Sequence, residues 1–333
     1  MVWIMLAITV VCVVIVFAIV MVQKEKGALV KQARAVTKDM VYENAYIVSN
    51  DDGRLIFICD GELYRAKGTM EESFTGVCDI EISGSKVKKI QIKPDDISGV
   101  MLSYGNGTMQ IAGQGDIPMQ SDKLPVYDET GAAPKEIAVS DLIIGSETLS
   151  YILDSGRICA IVRRQAPDLT YIRVLIKNDG KDAFPTIAAA AAANLYVDDA
   201  DCGSNAIDDV GAYMANAQKS RIKVSSADNY VSINGKSYPG SFEFIGTEEG
   251  IVAVNTVDVE TYVRYVVPSE MPSTFDAEAL KAQAVCARTF VYSQMKNTQY
   301  ALYGANIDNT TAFQVYNASE TKQSTDEAVK ATA

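Results

Sequence analysis

Residues 2–22 contain no charged side chain and are built almost wholly from Val, Ile, Leu, Met, Ala and Phe. At 1.5 Å per residue, a helix of that length spans a hydrocarbon core of about 30 Å. A buried core helix seldom stays apolar on every face over such a distance. A cleaved secretory signal is the closer rival. Against it stand the length of the run, the lack of a basic segment before it, and Gln23-Lys24-Glu25-Lys26, which is no small-residue cleavage site. The expectation is a transmembrane anchor over residues 1–23, with the membrane as the partner of that helix. Residues 24–47, rich in Ala, Lys, Val and Gln and free of proline, predict a helical stalk. Lys24, Lys26, Lys31, Arg34 and Lys38 outnumber Glu25 and Asp39 after the run, which by the positive-inside rule alone places the rest of the chain in the cytoplasm.

Composition removes several chemistries. The 333 residues carry a net charge of -12 and no histidine. That excludes a Ser-His-Asp triad, a Cys-His pair and a histidine-ligated metal. An acidic chain also lacks the basic surface that nucleic acid requires, so none is expected as a partner. Beyond the apolar run, Cys59, Cys78, Cys159, Cys202 and Cys286 form no CxxC pair. They read as buried free thiols, with a Cys59–Cys78 bridge as the lesser alternative.

From residue 48 the texture changes to short apolar runs broken by Gly, Asp and Asn. Leu55-Ile56-Phe57-Ile58 and the run 158–162 are examples, and the spacing predicts a β-rich, barrel-like domain over 48–165. No motif there carries chemistry. The alanine run 188–193 suggests a short helix. Asp198-Asp199-Ala200-Asp201 lacks the spacing of a calcium loop and reads as a solvated acidic turn. Strands are expected at 222–224, 230–233, 242–245 and 251–254, with Asn234-Gly235 as a hairpin signal.

After Val254 the period changes from two to 3.6. Val259, Tyr262, Val263, Val266 and Val267 mark one face of a helix, with Asp258 as N-cap and Pro268 as its stop. A second helix follows Pro272, capped by Asp276, with Leu280, Ala284, Ala287 and Val291 as its apolar stripe. Between them Pro268-Ser269-Glu270-Met271-Pro272 frames a carboxylate with prolines at an elbow. A solvated glutamate in a polar turn is the bland alternative.

Asp258-Val-Glu-Thr-Tyr-Val-Arg-Tyr-Val-Val-Pro-Ser-Glu-Met-Pro, followed by Glu278-Ala-Leu-Lys-Ala-Gln-Ala-Val-Cys-Ala-Arg-Thr-Phe, resembles the signature of the SpoIID/LytB family. Asp308-Asn309-Thr310 and Gln314-Val315-Tyr316 fit its downstream Asp-x-Thr and Gln-Val-Tyr element. The resemblance covers about the C-terminal half. It implies a SpoIID/LytB-like domain over 166–333 that acts on peptidoglycan glycan strands outside the cytoplasmic membrane. Members are lytic transglycosylases cleaving the MurNAc–GlcNAc bond, or proteins first described as enhancers of cell-wall amidases, so other cell-wall hydrolases are implied as partners. The family's catalytic acid falls on Glu270. Lys281, Gln283 and Arg288 are candidates for glycan contacts or for bracing the elbow, and Arg288 equally for a structural ion pair.

Four departures from the family pattern matter. Tyr265 stands where glycine is usual, and Phe275, Cys286 and Phe290 replace Trp, Ala and Tyr. Some relatives hold zinc through His and Cys near the Gln-Val-Tyr element, but no His exists here and no Cys follows Cys286, so neither metal nor another cofactor is expected. Family members also continue past the stretch that ends this chain, which implies a C-terminally incomplete domain. The expected fold class is α+β: a transmembrane helix, a β-rich barrel-like domain, then an incomplete α+β domain with two helices flanking the Glu-Met-Pro elbow. The expected function is peptidoglycan cleavage through Glu270 in wall remodelling or sporulation. The alternative is a non-catalytic wall-binding protein or amidase activator.

Overall fold

The computed structural model describes residues 31–51, 53–68, 74–94, 96–318 and 321–333. They form two compact units. One takes in the described residues up to Gly99 with Ile117–Val139 and Thr148–Ala166, the other the described residues of Val100–Asp116, Ser140–Glu147 and Pro167–Ala333.

In the first unit, Met40–Asp51 pairs with both Arg54–Cys59 and Gly76–Ser83. Glu62–Lys67 and Lys86–Ile92 follow on either side and touch each other through Lys67 and Lys86, so the sheet curls back on itself. Tyr42, Ala45, Ile47, Leu55, Phe57, Cys78 and Ile80 fill the interior. Alternation along the strands puts these residues on one face. A bulge lies between Tyr42 and Ala45, where Asn44 takes a φ of 53° and donates its N–H to Asp79 Oδ1 at 2.8 Å. The thiols of Cys59, Cys78 and Cys159 are free and buried. Burial pushes the first two up to about 12 and the third to about 11.

The second unit is organised by a sheet in the order Ala200–Asp201, Leu195–Val197, Arg221–Ser226, Ser241–Thr247, Gly250–Asp258, Tyr171–Ile176 and Ile307–Asp308. One face carries Ile172, Val174, Ile222, Val224, Phe242 and Phe244. Helices cover it: α1 (Val210–Asn216), α2 (Val259–Glu270) and α3 (Ala277–Gln294). A fourth helix, α4, spans Gln323–Lys330. The stripe of α2 (Val259, Tyr262, Val263, Val266, Val267) and that of α3 (Leu280, Ala284, Ala287, Val291) join the same core. Each buried Val or Leu among them contributes roughly 1.5–3 kcal/mol, so these helices are held by packing more than by propensity. Asp258 and Asp276 cap α2 and α3 by accepting the N–H groups of Thr261 and Glu278, both at 2.9 Å. Asn234 and Gly235, at φ values of 46° and 80°, close a two-residue hairpin between Tyr230–Ile233 and Lys236–Pro239.

Several expectations need correction. The described residues are strand-rich, with 45% strand against 17% helix, rather than of the expected α+β class. The expected anchor over residues 1–23 lies outside the described residues, and among the described residues no helix is long and apolar enough to cross a membrane. The predicted helical stalk gives way to strand from Met40, because Tyr42, Ala45 and Ile47 gain more from the sheet interior than from helix propensity. In the alanine run, Ala189–Ala190 is likewise a strand paired with Ile207 and Ile233. Pro268 does not end its helix. Its ring is accommodated in the last turn, and α2 stops at Met271, whose extended φ of -139° and ψ of 132° is the geometry that Pro272 imposes on its predecessor.

Candidate functional site

The elbow is fixed from both sides. Met271 donates its N–H to Val267 O at 2.9 Å, and Ser269 Oγ donates to Tyr265 O at 2.9 Å, which closes the final turn around Pro268. Glu270 therefore leaves the helix end at a defined angle and is exposed. Its Oε1 accepts the backbone N–H of Val315 at 2.7 Å.

Val315 is placed by a segment stitched to the sheet edge. Ile307–Asp308 pairs parallel to Tyr171–Ile176, and Asn309 donates its N–H to Leu175 O at 3.2 Å. Asp308 Oδ1 accepts the N–H and hydroxyl of Thr310 at 2.8 and 2.7 Å, while Oδ2 accepts the Tyr300 hydroxyl at 2.7 Å. Burial raises the Asp308 pKa, but these donors and the Lys177 charge outweigh it, so the carboxyl sits below its ordinary value. At the other end Tyr316 is fully buried, and its hydroxyl donates to Asn255 Oδ1 at 2.9 Å. Asn255 in turn donates to Pro239 O and Ser241 O. The Tyr316 ring lies 4.8 Å from that of Tyr262 on α2. The Gln-Val-Tyr element is thus clamped between sheet and helix, with its central amide presented to Glu270.

Two polar atoms beside this clamp, the Tyr262 hydroxyl and Gln314 Oε1, are buried without a hydrogen-bond partner among the described residues. Burial pushes the Tyr262 hydroxyl well above its ordinary pKa, and the charges of Glu270 and Asp308 push it further. Sequence reasoning treated Tyr262 only as part of an apolar stripe. A tyrosine among four valines, carrying a polar tip into that stripe, was the available signal.

The other candidates do not gather at Glu270. Arg288 is tied to Glu260 through two bonds, 2.5 Å from Nε and 2.7 Å from Nη2, and also reaches Val329 O at 3.4 Å. It joins α2, α3 and the C-terminal end of α4, while Arg264 separately ties α2 to the first turn of α4 through Asp326 at 2.8 Å. Lys281 pairs with Glu278 at 2.8 Å one turn away on the same helix. Gln283 is half-buried on the opposite flank of the α3 stripe from Lys281 and Arg288. Among the described residues no three Cys, Asp or Glu side chains converge as metal ligands.

The family model described as Stage II sporulation protein, SpoIID, matches residues 247–333. The chain is 48% identical over 66 residues to Stage II sporulation protein D of Bacillus subtilis, covering 19% of this chain and 19% of that protein. It is 35% identical over 109 residues to the Amidase enhancer of Bacillus subtilis, covering 32% of this chain and 14% of that protein. An uncharacterized protein of Brachyspira hyodysenteriae is 39% identical over 115 residues, covering 34% of this chain and 29% of that protein. The matched stretches thus span less than a third of each relative's length. No solved structure matches the chain. The elbow and the segment that clamps it both lie within residues 247–333, the stretch that matches the SpoIID family model, and this C-terminal region is where the likeness to that family lies.

Proposed function

We propose that the second unit acts on peptidoglycan glycan strands outside the cytoplasmic membrane and cleaves the MurNAc–GlcNAc bond with Glu270 as a single acid and base. The observation that carries this reading is the exposed Glu270 carboxylate, held at the end of α2 by the Val315 amide. A hydrolytic glycosidase needs two carboxylates, the second to attack or to activate water. Asp308 beside the clamp and Glu260, about 15 Å back along α2, are poorly suited to that role. Asp308 is 1% exposed with Thr310 and Tyr300 bonded to its two oxygens, and Glu260 is engaged by Arg288. A lytic transglycosylase manages with one, because the C6 hydroxyl of the muramic acid is the nucleophile. Glu270 would give its proton to the glycosidic oxygen as that bond breaks. It would then take the C6 hydroxyl proton as the 1,6-anhydro ring closes, which restores the starting state.

The match to a protein named Amidase enhancer favours a second reading, a domain that binds wall and stimulates a cell-wall hydrolase without turnover. Incubating the protein with purified sacculi, followed by mass analysis of the soluble fraction, separates the two. Anhydro-muropeptides support cleavage. Protein that pellets with sacculi and releases none supports the activator.

A further inference from the structure

The sheet of the second unit has a reverse face, away from α2 and α3, with chemistry that Glu270 does not use. Ile172, Val174, Ile222, Phe242 and Phe244 point into the apolar core, so their neighbours Arg173, Arg221 and Glu243 point the other way. Arg173 Nη1 donates to Glu243 Oε1 at 2.6 Å, and Arg221 Nη1 to Glu243 Oε2 at 2.5 Å. The three side chains are only 6%, 8% and 9% exposed, in the order Arg173, Arg221, Glu243. Two guanidinium groups therefore share one carboxylate, with the Asp116 charge also acting on Arg221. Arg173 Nε goes on to Gly304 O and Arg221 Nη2 to Ser103 Oγ. Arg173 Nη2 and Arg221 Nε have no acceptor among the described residues. A buried guanidinium N–H without an acceptor is costly, and a ligand oxygen brought alongside would relieve that cost.

The cluster lines an open cavity of about 1110 Å³ whose lining residues all belong to this unit. Leu102, Ile111 and Tyr171 supply apolar wall, and Lys219 and Lys223 also line it, paired with Asp198 and Asp199 at 2.6 and 3.1 Å. Gly145, at a φ of +76°, admits no side chain here, since a Cβ would come within 2.5 Å of Arg173 Cδ. The space exceeds what a lone inorganic anion fills and matches a ligand of several linked groups. We propose that this cavity binds a short carboxylate-bearing peptide, the carboxylate drawn by the Arg173–Glu243–Arg221 cluster and the apolar parts seated on Leu102, Ile111 and Tyr171. Peptidoglycan stem peptides have this chemistry, and only the choice of probe rests on the proposed cell-wall function.

The test is calorimetric titration of the full chain with L-Ala-γ-D-Glu-L-Lys, with its all-amide counterpart and with inorganic phosphate. Saturable 1:1 binding of the tripeptide is expected. Amidation and Arg221→Gln should each weaken it by about 10-fold or more, the scale of losing a charge-assisted contact. If circular dichroism shows that Arg221→Gln does not fold, Lys223→Gln at the exposed Lys223–Asp199 pair serves instead, with about 3-fold weakening expected for a screened charge. No saturable binding of the tripeptide, equal binding of the amide, or binding of phosphate alone overturns the site. Failure here with anhydro-muropeptide release intact removes this cavity and leaves Glu270 standing. Binding without release does the reverse.

Discussion

Tyr316→Phe removes one oxygen atom from the interior, and its cost follows from the geometry around Asn255. Asn255 is 0% exposed, and its Nδ2 is committed to Pro239 O at 2.9 Å and Ser241 O at 3.0 Å. Those two bonds fix the amide orientation, so Oδ1 must face Tyr316, whose hydroxyl lies 2.9 Å away. Phenylalanine keeps the ring contacts to Tyr262 and Tyr238 but leaves Oδ1 buried with no donor. That penalty is about 1–3 kcal/mol. For a domain of this size it corresponds to a fall in Tm of roughly 2–12 °C. Urea unfolding followed by near-ultraviolet circular dichroism measures it directly. Because Tyr316 adjoins Val315, release of anhydro-muropeptides should fall as well. A destabilisation below about 0.5 kcal/mol, the level of an ordinary surface change, would refute the claim that Tyr316 clamps this segment.

Three further outcomes are expected. Burial alone would raise the Glu243 pKa, yet Arg173 and Arg221 bring it down to about 2. Its contribution, roughly 3 kcal/mol, is therefore fully present above the unfolded value of 4.5 and lost as pH falls from there toward 2. Urea midpoints that stay level across that window would contradict it. Arg288→Met should cost about 1 kcal/mol through loss of the pair with Glu260 and leave sacculus binding unchanged, and weakened pelleting would restore Arg288 as a glycan contact. Protease added to intact protoplasts should digest both units, whereas full protection would oppose the extracytoplasmic placement.

The sequence made some elements legible and hid others for physical reasons. The helices flanking Glu270 could be read because the 3.6-residue stripe, the aspartate caps and Pro272 agree on one answer. The curled sheet could be anticipated from runs such as Leu55-Ile56-Phe57-Ile58 between turn residues. Residues 40–47 misled because the Ala- and Lys-rich texture before them does not reach this far: Val41, Tyr42, Tyr46 and Ile47 favour strand, and Tyr42 and Ile47 pair with the distant Ile80 and Phe57. Pro268 misled in the opposite sense: its missing N–H forfeits one bond in the last turn, a loss that the packing of Val266 and Val267 beside it outweighs. At the site, the elbow was visible, but the amide that holds Glu270 belongs to Val315, 45 positions away. Nothing local in either stretch announces the other. The Arg173–Glu243–Arg221 cluster was hidden in the same way, three charges in strands that otherwise read as apolar.

The most direct test of the central claim is release of 1,6-anhydro-muropeptides from purified sacculi by the wild-type protein and by Glu270→Gln. Glutamine keeps an oxygen to accept the Val315 N–H, so fold and sacculus binding should be unchanged. It has no proton to transfer, and general acid–base catalysis typically contributes about 10²–10⁴-fold, so release should fall at least that far. Equal release by the two proteins would contradict the assignment of Glu270 as the acid and base.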